Sequence, residues 1–272
     1  MSPSTSKNVR APIAYAGRGI TRPRYHANDS SRDLLQIVPI EMEIADARVR
    51  PVGLDRTGFA LVDHRSAVAD FDDRAQVDAT YRSEVLEVIT KLSGADQVVI
   101  SSPGILRFSE RSLQSGALDN SRPARFAHVD VSDATAAQFA QRVAPPGRKL
   151  KRYIHYNIWR VISNPPQDVP LAVCDASSVR GEDLIAADAV FDTPGKPEWS
   201  FEGIVVAHRP SHRWHWFPDM HRDEALVFKT HDSERQQTHC VPHVAFDNPL
   251  CPPESAPRVS IEIRAIAMWF DS

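Results

Sequence analysis

The second half of the chain is a succession of short extended runs divided by proline-bearing connections, and this restricts the fold more than any other feature. Residues 151–162, 170–174, 202–207, 212–218, 225–229, 239–246 and 258–270 are rich in β-branched and aromatic residues, with partial apolar/polar alternation. The 21 prolines against 11 glycines fit short strands joined by irregular loops. Extended pieces also fill 11–62, with runs at 36–40, 42–49 and 53–62, and a short buried strand is expected at 98–100. A stripe at helical spacing (Val77, Tyr81, Val85, Leu86, Val88, Ile89 and Leu92) predicts one clear helix over 81–92, ended by Ser93-Gly94. A second helix fits 134–143, closed by Pro145-Pro146-Gly147. Residues 103–123 read as a loop approaching the site, and 182–187 as a turn or short helix. The 202–207 and 212–218 runs read as partners. The expected class is mainly β with packed helices, an antiparallel sandwich or barrel. We expect a flexible N-terminus over 1–10 and a single domain over 11–272.

Charge and composition exclude several functions. A net charge of −3 and a pI near 6.4 give no basic footprint for nucleic acid. No apolar run is long enough to span a membrane, and the start lacks the apolar core of a secretory leader. Cys174, Cys240 and Cys251 are odd in number and widely spaced, which argues for a reducing, cytoplasmic setting. No glycine-rich phosphate loop follows a strand.

The chemistry concentrates at His128-Val129-Asp130. On an extended strand, residues two apart point to the same face, so an imidazole nitrogen and a carboxylate oxygen can reach one divalent metal. A second histidine would complete the two-histidine, one-carboxylate facial set of non-haem iron sites. His243, in Val241-Pro242-His243-Val244, lies on a late strand and is the candidate, expected on the far side of the barrel. His231 and His239 compete for the role. A second pair, His221 and Asp223, sits only about 20 residues before His243 and reads as polar surface or pocket wall.

The closing run supplies an anion anchor. Arg258, Ser260, Glu262 and Arg264 share one face of a strand, and Val259, Ile261 and Ile263 share the other. An inward arginine with a serine two positions on can hold a carboxylate through a charge-assisted fork and a hydroxyl. The competing reading is an edge strand with a solvated charged face. On 151–162, Asn157 and Trp159 share a face with Tyr153, while Arg160 points oppositely unless a bulge intervenes. Tyr153 is a candidate donor to a co-substrate. Asn157, Trp159, Arg160 and Trp216 are candidates for the pocket.

Taken with Tyr81-Arg82-Ser83-Glu84, Tyr156-Asn157-Ile158-Trp159-Arg160, Trp216-Phe217-Pro218-Asp219-Met220 and Pro242-His243-Val244-Ala245-Phe246, these motifs span residues 80–265. The chain resembles the group of the gibberellin GA4 desaturase, the AsaB-type hydroxylase/desaturases and the CmcJ-like proteins. The resemblance implies a double-stranded β-helix (jelly-roll, cupin-like) oxygenase using Fe(II), 2-oxoglutarate and O2. His128, Asp130 and His243 then match the metal ligands. Arg258 and Ser260 match the clamp on the distal carboxylate of 2-oxoglutarate, with Arg264 as rival anchor because the gap from His243 is long. The implied reaction is hydroxylation or desaturation of a C–H bond in a small secondary metabolite. Two other readings stay open. One is a metal-dependent hydrolase or isomerase using the same three residues. The other is a non-catalytic jelly-roll accessory subunit of a biosynthetic pair. A homodimer or a partner enzyme is compatible with the sequence.

Overall fold

The computed structural model describes residues 6–235 and 238–271. Fifteen strands are found among them. The first seven are β1 (Val9–Ala16), β2 (Arg24–His26), β3 (Ile37–Asp46), β4 (Phe59–Asp63), β5 (Gln97–Ile100), β6 (Ile105–Phe108) and β7 (His128–Val129). The remainder are β8 (Leu150–Val161), β9 (Leu171–Cys174), β10 (Leu184–Phe191), β11 (Trp199–Val206), β12 (Trp214–Trp216), β13 (Glu224–Asp232), β14 (His243–Ala245) and β15 (Val259–Phe270). They form a nine-stranded sheet ordered β1-β3-β12-β9-β14-β7-β11-β10-β2 and a smaller one ordered β4-β13-β8-β15-β5, with β6 also on β15. The non-sequential order and curled sheets make a double-stranded β-helix.

Side-chain alternation explains the layers. On the smaller sheet Ile154, Tyr156, Ile158, Ala225, Val227, Ile261, Ile263 and Ala265 share one apolar cluster with Val85 and Ile89 of the Arg82–Ser93 helix and with Tyr81 just before it. This helix forms where the apolar stripe lies. It is preceded by a π-helical stretch, Val77–Tyr81, and stops at Gly94, whose φ of 60° is the left-handed C-cap that glycine adopts without strain. The alternate residues Trp159, Val161, Leu226 and Phe228 face the nine-stranded sheet and meet Val173, Phe217 and Val241. Burial of each large aliphatic side chain in such clusters contributes about 1.5–3 kcal/mol. The second helix, Asp133–Val143, packs Ala140 against Ile266, Met268 and Phe270.

Several expectations are corrected. The 36–40 and 42–49 runs are one strand, β3, ending in a 3-10 turn. β11 and β12 do not pair with each other: β11 pairs β10 and β7, and β12 pairs β3 and β9. Residues 184–187 open an eight-residue strand after a 3-10 turn. The 103–123 stretch contains β6, whose edge bonds to β15 override its weak local pattern. Of the terminus expected to be loose, Met1 to Thr5 lie outside the described residues. Lys7 already donates its backbone N–H to Asp46 (3.0 Å), and Val9 and Arg10 belong to β1. No helix among the described residues is long and apolar enough to cross a membrane.

Candidate metal centre and its cavities

β7 and β14 are neighbours in the nine-stranded sheet, and His128 and His243 are directly opposed across them. The expectation that His243 approaches from the far side of the barrel is therefore corrected. A cross-strand pair places two side chains of one face side by side, and here the ring centroids are 4.2 Å apart. Asp130 follows β7 just before Ser132 caps the second helix by accepting the Thr135 N–H. Its Oδ1 lies 3.7 Å from His128 Nε2 and 3.4 Å from His243 Nε2. All three side chains are at least nine-tenths buried.

The tautomers are set from behind. His128 Nδ1 donates to the Phe126 carbonyl (2.9 Å), and His243 Nδ1 donates to the Val241 carbonyl (3.2 Å). With these protons placed behind, both Nε2 atoms face the Asp130 carboxylate. Burial, and then the neighbouring His243, pushes His128 down to about 3, so it is neutral at physiological pH. Burial alone would raise the Asp130 carboxyl, but Arg264 and then His243 hold it well below the ordinary carboxylate range. The neutral His128 thus turns an Nε2 lone pair toward an anion, a repulsion that a cation between them would relieve. These donors fit a borderline divalent metal such as iron(II).

Around Asp130, Asn157 Nδ2 donates to Oδ2 (3.0 Å), and Arg264 Nε lies 2.8 Å from the same atom. Arg264 Nη2 is also 2.9 Å from the buried Glu262. The polar face of the closing strand points inward: Arg258, Ser260 and Glu262 are almost wholly inaccessible, and β15 is flanked by β8 on one side and by β5 and β6 on the other. The edge-strand reading is thereby overturned. Arg258 donates through Nε to the Val169 carbonyl (2.8 Å) and through Nη1 to Ser260 Oγ (2.6 Å) and the Arg107 carbonyl (3.1 Å). Among the described residues no carboxylate lies within ion-pair distance of its guanidinium, and its Nη2 makes no hydrogen bond. Burial, and then Arg107, lowers its basicity.

Two cavities reach Asp130 and Arg264. One of about 560 Å³ has an apolar wall that includes Phe139, Phe191, Trp199 and Phe201, with Arg142 and Lys196 also on its lining. The other, about 480 Å³, is lined by Arg107, Arg122, Arg125 and His128 among others.

Four expected site residues lie elsewhere. Arg160 is wholly buried on the helix-facing side of β8, where it donates to Tyr81 Oη (3.2 Å) and the His64 carbonyl (2.9 Å) and also meets His64 Nδ1 and the Arg222 carbonyl. The pairing of β8 with β15 continues without a bulge through this stretch, so strand parity turns it away from Asn157. Trp216 is on the outer face of the nine-stranded sheet, against Phe246, with Nε1 donating to the Lys7 carbonyl (3.0 Å). Tyr153 shares the Asn157 face but lies four positions along β8, stacked on His231 (5.6 Å between centroids, 6° between planes). Trp159 is in the core between the sheets, with Arg258 6.0 Å above its ring. His221 and Asp223 are exposed surface. Arg107, Phe191, Trp199 and Phe201 were missed as cavity residues. The available signals were an arginine within the apolar 105–108 run and the aromatic alternation of Trp199 and Phe201.

A family profile described as "Oxidoreductase/YMDC permease-like domain" matches residues 13–268. The chain is 30% identical over 238 residues to the α-ketoglutarate-dependent dioxygenase phiK of a fungal species, covering 84% of this chain and 83% of that one. It is 31% identical over 242 residues to the hydroxylase/desaturase CTB9 of Cercospora beticola, covering 80% and 72%. Among solved structures, the iron and α-ketoglutarate-dependent endoperoxidase NvfI superposes with a TM-score of 0.81 at 22% identity, covering 98% of this chain and 100% of the other. That last likeness concerns the fold.

Proposed function

Because this chain belongs to the fungal Fe(II)/2-oxoglutarate-dependent dioxygenases and hydroxylase/desaturases, we propose that it hydroxylates or desaturates a C–H bond of a small apolar secondary metabolite seated in the 560 Å³ cavity. The observation that carries this reading is the pair of Nε2 atoms aimed at one buried carboxylate, with both Nδ1 atoms already committed to backbone carbonyls. His128, Asp130 and His243 would hold iron(II). When bound, that iron supplies the activation of dioxygen, the oxidative decarboxylation of 2-oxoglutarate to succinate and the oxidation of the C–H bond.

The chain's own residues bind, orient and exclude water. Asn157 fixes the rotation of the Asp130 carboxylate, and Arg264 neutralises its outer oxygen. Arg258 with Ser260 is the proposed anchor of the distal carboxylate of 2-oxoglutarate. A buried guanidinium without a carboxylate partner is costly and calls for an anion. Arg264 is the weaker candidate, since Asp130 and Glu262 already hold it. Apolar walls at Phe139, Phe191 and Phe201 favour a scaffold with little polar surface, and Arg142 and Lys196 would accept an acidic substituent. A retained carboxylate ligand leaves no coordination place for chloride, so halogenation is disfavoured. We also place the chain in the GA4 desaturase, AsaB and CmcJ-like group, on the motifs that span residues 80–265, and in the cytoplasm, on three free cysteines.

Anaerobic titration of the protein with iron(II) and 2-oxoglutarate should give a weak visible charge-transfer band. Aerobic turnover with candidate substrates should release succinate. A band that persists in His243→Ala would overturn the ligand assignment. Absence of both band and succinate would favour the accessory-subunit reading.

A further inference from the structure

Two histidines and an aspartate converge a second time, away from the proposed iron ligands. Asp133 Oδ1 lies 3.0 Å from His239 Nε2 and 3.2 Å from His231 Nε2, and one ligand atom from each of the three residues lies within 4.8 Å of the others. His239 Nδ1 donates to the Asp232 carbonyl (2.8 Å), which fixes its proton there. Its Nε2 lone pair then faces a carboxylate oxygen at hydrogen-bond distance with no hydrogen between them. His231 is almost wholly buried, and its Nδ1 has no partner. Asp133 is about half exposed, so the place between the three is open to solvent from one side. Arg235 meets the other carboxylate oxygen and leaves Oδ1 to the imidazoles.

We propose that Asp133, His231 and His239 form a second binding site for a borderline divalent transition-metal ion, separate from the His128, Asp130 and His243 centre. Two imidazoles and one carboxylate suit zinc, cobalt or nickel better than calcium or magnesium, which prefer all-oxygen sites. An ion here joins the first residue of the Asp133–Val143 helix to the end of β13 and to the segment before β14. That helix carries Phe139, Arg142 and Val143 to the 560 Å³ cavity, so the ion would brace one cavity wall.

The proposal does not depend on iron occupying the other site, and the test separates the two. Full-length protein is stripped with chelator, dialysed against zinc and analysed by mass spectrometry of the metal. Wild type should hold two equivalents, and His243→Ala should keep one. His239→Ala, and independently Asp133→Asn, should each lose one equivalent from wild type. In the His243→Ala background, zinc should raise the melting temperature, and adding His239→Ala should abolish that rise. Circular dichroism checks that each variant folds, and Asp133→Asn retains the shape and an acceptor oxygen if His239→Ala does not. The proposal fails if folded His243→Ala takes up no zinc, or if both Asp133→Asn and His239→Ala keep the wild-type stoichiometry.

Discussion

Asn157 donates its side-chain amide to the outer oxygen of Asp130 at 3.0 Å, while its own carbonyl oxygen has no partner in the buried site. The two residues meet across the interior, one from the smaller sheet and one from the turn that follows β7. Since Asn157 does not reach the ligand face of the carboxylate, its effect on a metal is through orientation. Asn157→Ala should weaken iron affinity about 10- to 100-fold, the usual cost of removing such a support. Asn157→Leu, similar in volume but without the donor, should weaken it over the same range. Equilibrium dialysis with iron(II) under anaerobic conditions measures both. Unchanged affinity in the two variants would mean that the contact is incidental.

Arg258 is the test of how 2-oxoglutarate is held. Removal of one partner of a buried, hydrogen-bonded charge pair costs about 2–5 kcal/mol, roughly 30-fold or more in affinity. Arg258→Ala should therefore raise the KM for 2-oxoglutarate by at least that factor while leaving iron binding nearly intact. Arg258→Lys should recover only part, since an ammonium cannot reproduce the fork. If Arg264→Gln raises that KM and Arg258→Ala does not, the anchor is Arg264.

Stability should fall on mild acidification. Burial, and then His231, pushes His155 down to about 4, and burial also lowers His215, which has neither ring nitrogen bonded. In the unfolded chain each titrates near 6.5. For His155, between that value and about 4 the unfolded state binds the extra proton, so stability rises with pH there and is lost as pH falls, and His215 acts in the same direction. Each such histidine contributes a slope of at most about 1.4 kcal/mol per pH unit. Urea unfolding at pH 7 and pH 5 should show this loss, and His155→Phe should flatten it. A pH-independent midpoint across that range would refute the assignment.

Arg160 should prove structural. Arg160→Ala strands buried carbonyls and the Tyr81 hydroxyl, and we expect a loss of about 2–4 kcal/mol in unfolding free energy. The KM for 2-oxoglutarate should stay within about twofold of wild type in the folded fraction, on the small expected perturbation of a distant site. A large change in KM with little loss of stability would return Arg160 to the pocket.

The parts of the fold legible in the sequence were those with a local cause. The Arg82–Ser93 helix carries its own stripe and its own glycine stop, and the long strands β8 and β15 carry enough residues to show alternation. The His128 and Asp130 spacing directly encodes a shared face. What stayed hidden depends on pairing between distant segments. β7 and β14 contribute only two and three residues to their sheet, too few for a period. Nothing local shows that His243 is opposed to His128, or that β12 lies between β3 and β9. Trp216 was misplaced for the same reason: the sequence shows an alternating Trp-His-Trp run but not which face is interior, and here His215 takes that side.

The alternation along β15 has a consequence for how the chain can vary. Arg258, Ser260, Glu262 and Arg264 reach the interior only while each keeps its parity against β8. Inserting or deleting one residue before Arg258 can be absorbed by the loop that precedes it. The same change between 258 and 264 would turn the charges beyond it into the helix-packed layer and send Ile261 and Ile263 toward the cavity, or else break the pairing. Length change in this segment should thus survive only in steps of two, and a library of single-codon insertions should be depleted there even where every individual side chain tolerates substitution.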